Sequence, residues 1–351
     1  MPKSKKRSKK VLVPQAPELE EPKRLEDYHH SRPEQLTMFE LLLPEDRRFS
    51  NTIELYDFIP KYVWGKVERI NGEFLRALER PFECRGRRYE VTIDPAKIKD
   101  KDGVTRDYYP SKREELVEDA LRKFASEGQG VFLDDQAGVT FTLNQLQQEL
   151  KNNGHSFSKD QIKDALMICA KAHLTVTTEE GGTVLVSSLF ETLGLQTREA
   201  WEEQGQKTRA FVRFNPLVTA SIKSRSFRLF NYETSMAYSN TIARQLHKRM
   251  AHHYTQASLM NPYTIALSTI IRDFGLTVYK KLPDNLRDVM KALDEMKESH
   301  VVIDYAVEKV IDAKQRNRLL DAKITLTPHP HFSSEVIHAN KKQKTFPSIS
   351  A

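Results

Sequence analysis

The side chains best placed to do chemistry in this 351-residue chain are cations gathered in one stretch. Between Gly205 and Tyr254 stand nine lysines and arginines, Lys207, Arg209, Arg213, Lys223, Arg225, Arg228, Arg244, Lys248 and Arg249, against one acid, Glu233. The stretch is therefore +8 in a chain whose whole formal charge is +7. Phe211, Phe214, Phe227, Phe230, Tyr232 and Tyr238 are interleaved with the charges, so the stretch reads as folded and basic together. Concentrated positive charge on folded structure is the footprint of a polyanion partner, most often nucleic acid. A solvated basic face is the plainer alternative.

Groups suited to catalysis are scarce. No GxxxxGK[ST] loop is present to cradle phosphates, which argues against ATPase activity. Asp134-Asp135 and Glu202-Glu203 lack a partnering base. His252-His253 points its rings to different faces of a helix. His329-Pro330-His331 invites comparison with the histidine pair of rolling-circle nickases, but proline interrupts the strand such a site needs. Cys84 and Cys169 are far apart, outside any metal-ligand spacing, and read as reduced thiols. The expectation is no catalysis, no cofactor and no metal. No apolar run approaches a membrane span, and the basic start is followed by proline and acids instead of a signal sequence.

The chain opens with KSKKRSKK, six basic residues in eight, and a proline-rich polar segment that cannot bury enough apolar area to offset chain entropy. Residues 1–34 are expected to be a disordered basic tail, serving as a phosphate-contacting arm, a localisation signal or a solubilising extension. QLTMFELLLP, residues 35–44, is an apolar island that either docks into a partner or forms the first strand. Phe82 to Asp94 alternates around Gly86 and predicts a hairpin.

Two similar layouts follow. In the first, Leu116, Val117, Ala120, Leu121 and Phe124 make one helical stripe stopped by Gly128. A hairpin then flanks a turn at Asp135–Gly138, and capping boxes at Thr142-x-x-Gln145 and Ser158-x-x-Gln161 open two closely spaced helices. A two-stranded wing follows around Gly181-Gly182. Ser158, Lys159 and Lys163 lie where this candidate recognition helix would meet DNA or a second copy, though Asp160 and Asp164 dilute the charge.

In the second layout, NTIARQLHKRMAHHYTQA and TIALSTIIRDFG are helical, and a short turn leads to a helix with Asp284 as N-cap and Leu286, Val289, Met290, Leu293 and Met296 on one face. VVIDYAVEKV and KITLTPH form its wing. Lys280, Lys281, Asn285, Arg287, Asp288 and Lys291 stand at the start of the exposed face, where side chains reach base edges. Arg and Asn are the usual bidentate partners of guanine and adenine. Lys314, Arg316 and Arg318 in the wing loop, with Lys223, Arg225, Arg228, Arg244, Lys248 and Arg249, are expected to hold phosphates. An ordinary charged helix surface is the alternative.

These residues, strongest in FVRFNPLVTASIKSRSFRLFNYETSMAYSNTIARQLHKRMAHHYTQAS, resemble plasmid replication initiators of the RepA/TrfA type. The pentapeptide Gln35-Leu36-Thr37-Met38-Phe39 resembles the sliding-clamp binding motif of bacterial replication proteins, and Gln35, Leu36, Met38 and Phe39 would make that contact. The resemblance implies an α+β chain of two tandem winged-helix domains, monomers that bind direct repeats (iterons) in double-stranded origin DNA, and inactive or repressing dimers. It also implies melting of AT-rich DNA, recruitment of the host initiator, replicative helicase and polymerase sliding clamp, and a bacterial cytoplasmic location. The expected division is a tail (1–34), the motif (35–44), a first winged-helix domain (45–222), a basic linker (223–235), a second winged-helix domain (236–335) and a C-terminal tail (336–351). A dimeric transcriptional repressor and an origin nickase are the competing readings.

Overall fold

The structure is a computed structural model and describes residues 48–345, apart from 54, 66, 71–73, 100–102, 134, 196–209, 225, 313 and 315–317. The basic tail and the pentapeptide with Gln35, Leu36, Met38 and Phe39 lie outside the described residues.

The first unit is built around α1 (Lys112–Phe124), α2 (Leu143–Asn152) and α3 (Lys159–Lys171). Both expected capping boxes form. Thr142 Oγ1 accepts from Gln145 N at 3.1 Å and Ser158 Oγ from Gln161 N at 3.2 Å. Each glutamine returns a side-chain oxygen to the backbone N–H of its cap residue, at 2.9 and 2.8 Å. These contacts satisfy otherwise orphaned helix donors and set the tight α2–α3 turn. Gly128, with φ of +91°, ends the helical run after α1.

The hairpin β2 (Leu78–Cys84) and β3 (Arg87–Asp94) joins the wing β8 (His173–Thr178) and β9 (Thr183–Ser188) in one antiparallel sheet, ordered β2-β3-β8-β9. The small pair β4 (Ala96–Lys99) and β5 (Thr105–Tyr108) precedes α1. A second sheet contains β6 (Gly130–Leu133), β7 (Gln136–Phe141), β10 (Phe190–Gly194) and β11 (Ala210–Phe214), in the order β10-β11-β7-β6. The β6–β7 turn is tighter than expected, since Gly138 belongs to the strand. A Cβ at Gly138 would meet the Val212 carbonyl oxygen at 2.5 Å, so only glycine permits this approach to β11. The short helix α4 (Pro216–Lys223), with Asn215 as its N-cap, closes the unit.

The second unit comprises α6 (Thr241–His253), β13 (Tyr263–Ala266), α7 (Leu267–Asp273) and α8 (Leu282–Glu298), followed by the wing β14 (Val302–Asp312) and β15 (Arg318–Pro328). The expected apolar face of α8 is buried at Leu286, Val289, Leu293 and Met296, while Met290 is 37% exposed. Asp284 is not the N-cap. Proline at the start lets α8 begin at Leu282, with Lys281 in the cap position and Asp284 in the first turn. Each wing strand is 11 residues long, so Arg318 lies in a strand instead of the loop.

Two expectations about connections are overturned. Residues 223–235 are not a linker: they hold β12 (Phe227–Asn231) and the start of α5 (Tyr232–Ala237). β12 pairs antiparallel with β1 (Phe49–Ile53), with Phe227, Leu229 and Phe230 buried. Nor is 336–351 simply a tail, because α9 (Pro330–Thr345) continues through it. Phe332, Val336 and Ala339 are buried on its inner face. One hydrophobic cluster runs from Ile53 to Val336 through both units, so the two winged layouts share a core.

Candidate nucleic-acid interface

Several cations of the basic stretch are spent inside this core. All of Glu114, Glu115, Glu118, Asp119, Arg122 and Lys123 on α1 are buried along with its apolar stripe. The helix is enclosed on its polar side as well, where its acids meet α6 of the second unit. Arg244, with no exposed side-chain surface, pairs with the equally buried Glu115 at 2.7 Å and donates to the Tyr238 carbonyl at 3.1 Å. Lys248 lies 2.5 Å from Asp119 and 3.6 Å from Glu115. Burial works against its ammonium group, but these two acids outweigh that cost and raise its pKa. Deeper in the layer, Arg122 pairs with Asp57. Burial opposes the Asp57 carboxylate too, yet Arg122 holds its carboxyl below the ordinary range. Arg244 and Lys248 therefore join the units and do not face phosphates, contrary to expectation.

Two further cations are committed to the protein. Arg249 pairs with Asp273 at 3.0 Å and is mostly covered. Arg228 donates to the Ala251 carbonyl at 3.3 Å and to the Asn340 side chain, tying the end of α6 to α9. Lys223 is exposed at the end of α4. Arg225, like Lys207 and Arg209, lies outside the described residues.

The exposed face of α8 is different. Lys280 and Lys281 stand in the turn before the helix, exposed, with no acid within ion-pair distance among the described residues. Arg287 is 64% exposed and reaches Asp284 at 3.0 Å across one helical turn. Lys291, equally exposed, reaches Asp288 at 3.2 Å. Such exposed pairs are worth less than about 1 kcal/mol and exchange readily for a phosphate or a base edge. Asn285 does not share this face. It is buried at 3% exposure, accepts from the Tyr279 N–H at 3.0 Å and donates to the Thr277 carbonyl at 2.8 Å. It shapes the turn and cannot read a base from there.

Sequence reasoning missed Val278 and Tyr279 in the same turn, 68% and 44% exposed. The Tyr279 hydroxyl donates to Asp288 at 3.2 Å, and that hydrogen bond raises its pKa. Their signal was an apolar-aromatic pair directly before two lysines. The wing is fastened to α8 by Tyr305 Oη donating to Asp294 at 2.8 Å and by Lys297 to Asp304 at 3.0 Å. Lys314 and Arg318 are exposed toward the wing tip, and Arg316 lies outside the described residues.

On the first unit, Ser158 is occupied as the α3 cap, while Lys159 and Lys163 are exposed among Asp160 and Asp164. This face carries little net charge. His329 precedes α9, and His331 pairs with Glu335 at 3.3 Å. Among the described residues no group of three His, Cys, Asp or Glu side chains is arranged to hold a metal ion, and no helix is long and apolar enough to cross a membrane.

No family model matches the chain, and no curated protein matches it in sequence. Solved structures do resemble it in arrangement. A selenomethionine crystal structure of domains 2 and 3 of RctB aligns with a TM-score of 0.45 at 10% identity, covering 78% of this chain and 96% of that one. A second structure of RctB domains 2–3 gives 0.44 at 10% identity, covering 75% and 94%. The Pi initiator protein in complex with iteron DNA gives 0.42 at 12% identity, covering 62% and 91%.

Proposed function

We propose that this chain is a replication initiator that binds direct repeats in double-stranded origin DNA, with α8 of the second unit in the major groove. The observation that carries this reading is the open face of α8. Lys280 and Lys281 mark its entry, Arg287 and Lys291 lie along it, and the wing is fastened beside it. Charge at the entry of a recognition helix and on an adjacent wing matches the division between base edges and backbone in such motifs. The assignment to direct repeats rests on the sequence resemblance to plasmid replication initiators. So do melting of the neighbouring AT-rich DNA and recruitment of the host initiator, helicase and sliding clamp.

The phosphate-contacting set is Lys223, Lys280, Lys281, Lys314 and Arg318, with Arg287 and Lys291 nearer the bases. With a log–log slope of about −0.9 per neutralised phosphate, five such contacts lower affinity about 10²–10³-fold between 50 and 200 mM salt. Footprinting on the DNA flanking the gene, repeated across that salt range, tests both parts. Protected tandem direct repeats and a steep salt dependence are expected. A flat dependence would remove DNA binding, and a protected inverted repeat would favour a dimeric repressor.

A further inference from the structure

The turn that leads into α8 holds an apolar pair in solvent. Val278 is 68% exposed and Tyr279 is exposed beside it, and Lys280 and Lys281 follow directly. Single exposed apolar residues are ordinary on protein surfaces. This pair is set apart by how firmly its backbone is held.

Gly275, with φ of +60°, closes α7, and the Leu276 N–H returns to the Ile271 carbonyl at 3.0 Å. Trp64 Nε1 donates to the Phe274 carbonyl at 3.0 Å, which fastens the start of the turn. At the other end, the buried Asn285 holds the residues on both sides of Val278. It donates to the Thr277 carbonyl at 2.8 Å and accepts from the Tyr279 N–H at 3.0 Å. Val278 is therefore bracketed, its backbone fixed while its side chain stands in solvent. Tyr279 is held as well, its hydroxyl donating to Asp288 on α8 at 3.2 Å. A side chain fixed before binding loses little freedom on contact, and valine, branched at Cβ, is stiff at its one torsion. Such an arrangement suits selection.

The surroundings indicate what covers Val278. Between Thr277 and Lys291, four cations (Lys280, Lys281, Arg287 and Lys291) stand against two acids, Asp284 and Asp288. Arg287 pairs with Asp284, and Lys291 and Tyr279 both reach Asp288. An apolar group framed by cations complements a polyanion that displays an apolar group of its own. In the major groove of a duplex that group is the thymine C5-methyl, which the other three bases lack. We propose that Val278 is a thymine-reading residue: with α8 in the major groove, its methyl groups pack against the C5-methyl of one thymine. This inference rests on the reading of α8 as the DNA-contacting helix. Taking one methyl group out of water corresponds to about fourfold in affinity.

The DNA flanking the gene, amplified once with dTTP and once with dUTP, supplies two duplexes that differ only in their C5-methyl groups. Quantitative footprinting of the full chain on both tests the proposal. The parent chain is expected to bind the uracil duplex about fourfold or more weakly than the thymine duplex. Val278→Ala should lose about fourfold on the thymine duplex and lower the thymine-to-uracil affinity ratio by the same factor. Its melting temperature should match that of the parent, because the side chain is exposed. Val278→Ser provides a second variant, and Lys281→Ala should weaken both duplexes alike with the ratio kept. Equal binding of the two duplexes by the parent overturns the inference and leaves DNA binding through α8 standing. So does a ratio that survives both Val278 substitutions, which would turn the apolar pair toward a protein surface. Binding of neither duplex overturns the inference together with the reading beneath it.

Discussion

Arg244 and Lys280 carry the same charge and lie 36 positions apart, yet only one of them reaches solvent. Arg244→Ala removes the closest cation from buried Glu115, leaving Gln245 and the more distant Lys248, and should cost up to about 3–5 kcal/mol. Urea denaturation of that variant should show the loss as a lower midpoint with an unchanged slope. Lys280→Ala and Lys281→Ala should change stability by less than about 0.5 kcal/mol while weakening all DNA sequences alike. Each should reduce the slope of log affinity against log salt by about one. Arg287→Ala belongs to a third class: it should shift the preferred base at one position by about 1–3 kcal/mol, measurable by competition with single-base variants of the repeat. Asn285, equally plausible as a reader from its residue type, should instead behave as a stability residue, because its side chain completes the turn between α7 and α8.

At the scale of elements, helix patterning was the most legible feature. Two capping boxes and the apolar stripes of α1 and α8 follow from local spacing, and local hydrogen bonds then fix where α2 and α3 start. The polar side of α1 was not legible, because charged residues on a helix ordinarily mark a solvent face and here mark a buried contact with α6. Also on α6, His247 is fully buried, its ring edge-on to Phe230, Tyr238 and Phe332, with neither ring nitrogen hydrogen-bonded among the described residues. Burial pushes its pKa down to about 3. A depressed folded value means that the unfolded chain takes up a proton, below about pH 6.5, that the folded chain refuses. Stability is therefore fully present above that pH and declines toward about pH 3, by about 1.4 kcal/mol per pH unit for one such histidine. Denaturation at pH 7.5 and 5.0 should show a smaller difference for His247→Leu than for the parent chain.

For the molecule as a whole, the consequence of the shared core is rigidity. Two domains on a basic linker would unfold separately and would tolerate variable spacing between the DNA segments they contact. Units joined by Arg244–Glu115, Lys248–Asp119 and the β1–β12 pair should unfold together, in one calorimetric transition whose van't Hoff and measured enthalpies agree. On DNA, successive major-groove segments on one face lie about 34 Å apart. Inserting half a helical turn inside one repeat should then abolish the second unit's or the first unit's contact, and footprints would shrink to one half of the site.

The sequence by itself determined the secondary elements that depend on local spacing, the doubled layout, and the presence of enough positive charge to meet a polyanion. Those properties rest on neighbours three or four residues apart, on turn chemistry and on composition. Tertiary structure decided which cations are available. Glu115 and Asp119 lie about 129 positions from Arg244 and Lys248, and no local pattern pairs them. Once α1 is enclosed, its acids must find cations, since an unpaired buried carboxylate costs far more than an exposed one. For Glu115 and Asp119 those cations are Arg244 and Lys248 of the basic stretch. That requirement draws Arg244 and Lys248 inward and leaves the α8 face, with fewer charges but open ones, as the surface proposed here for DNA.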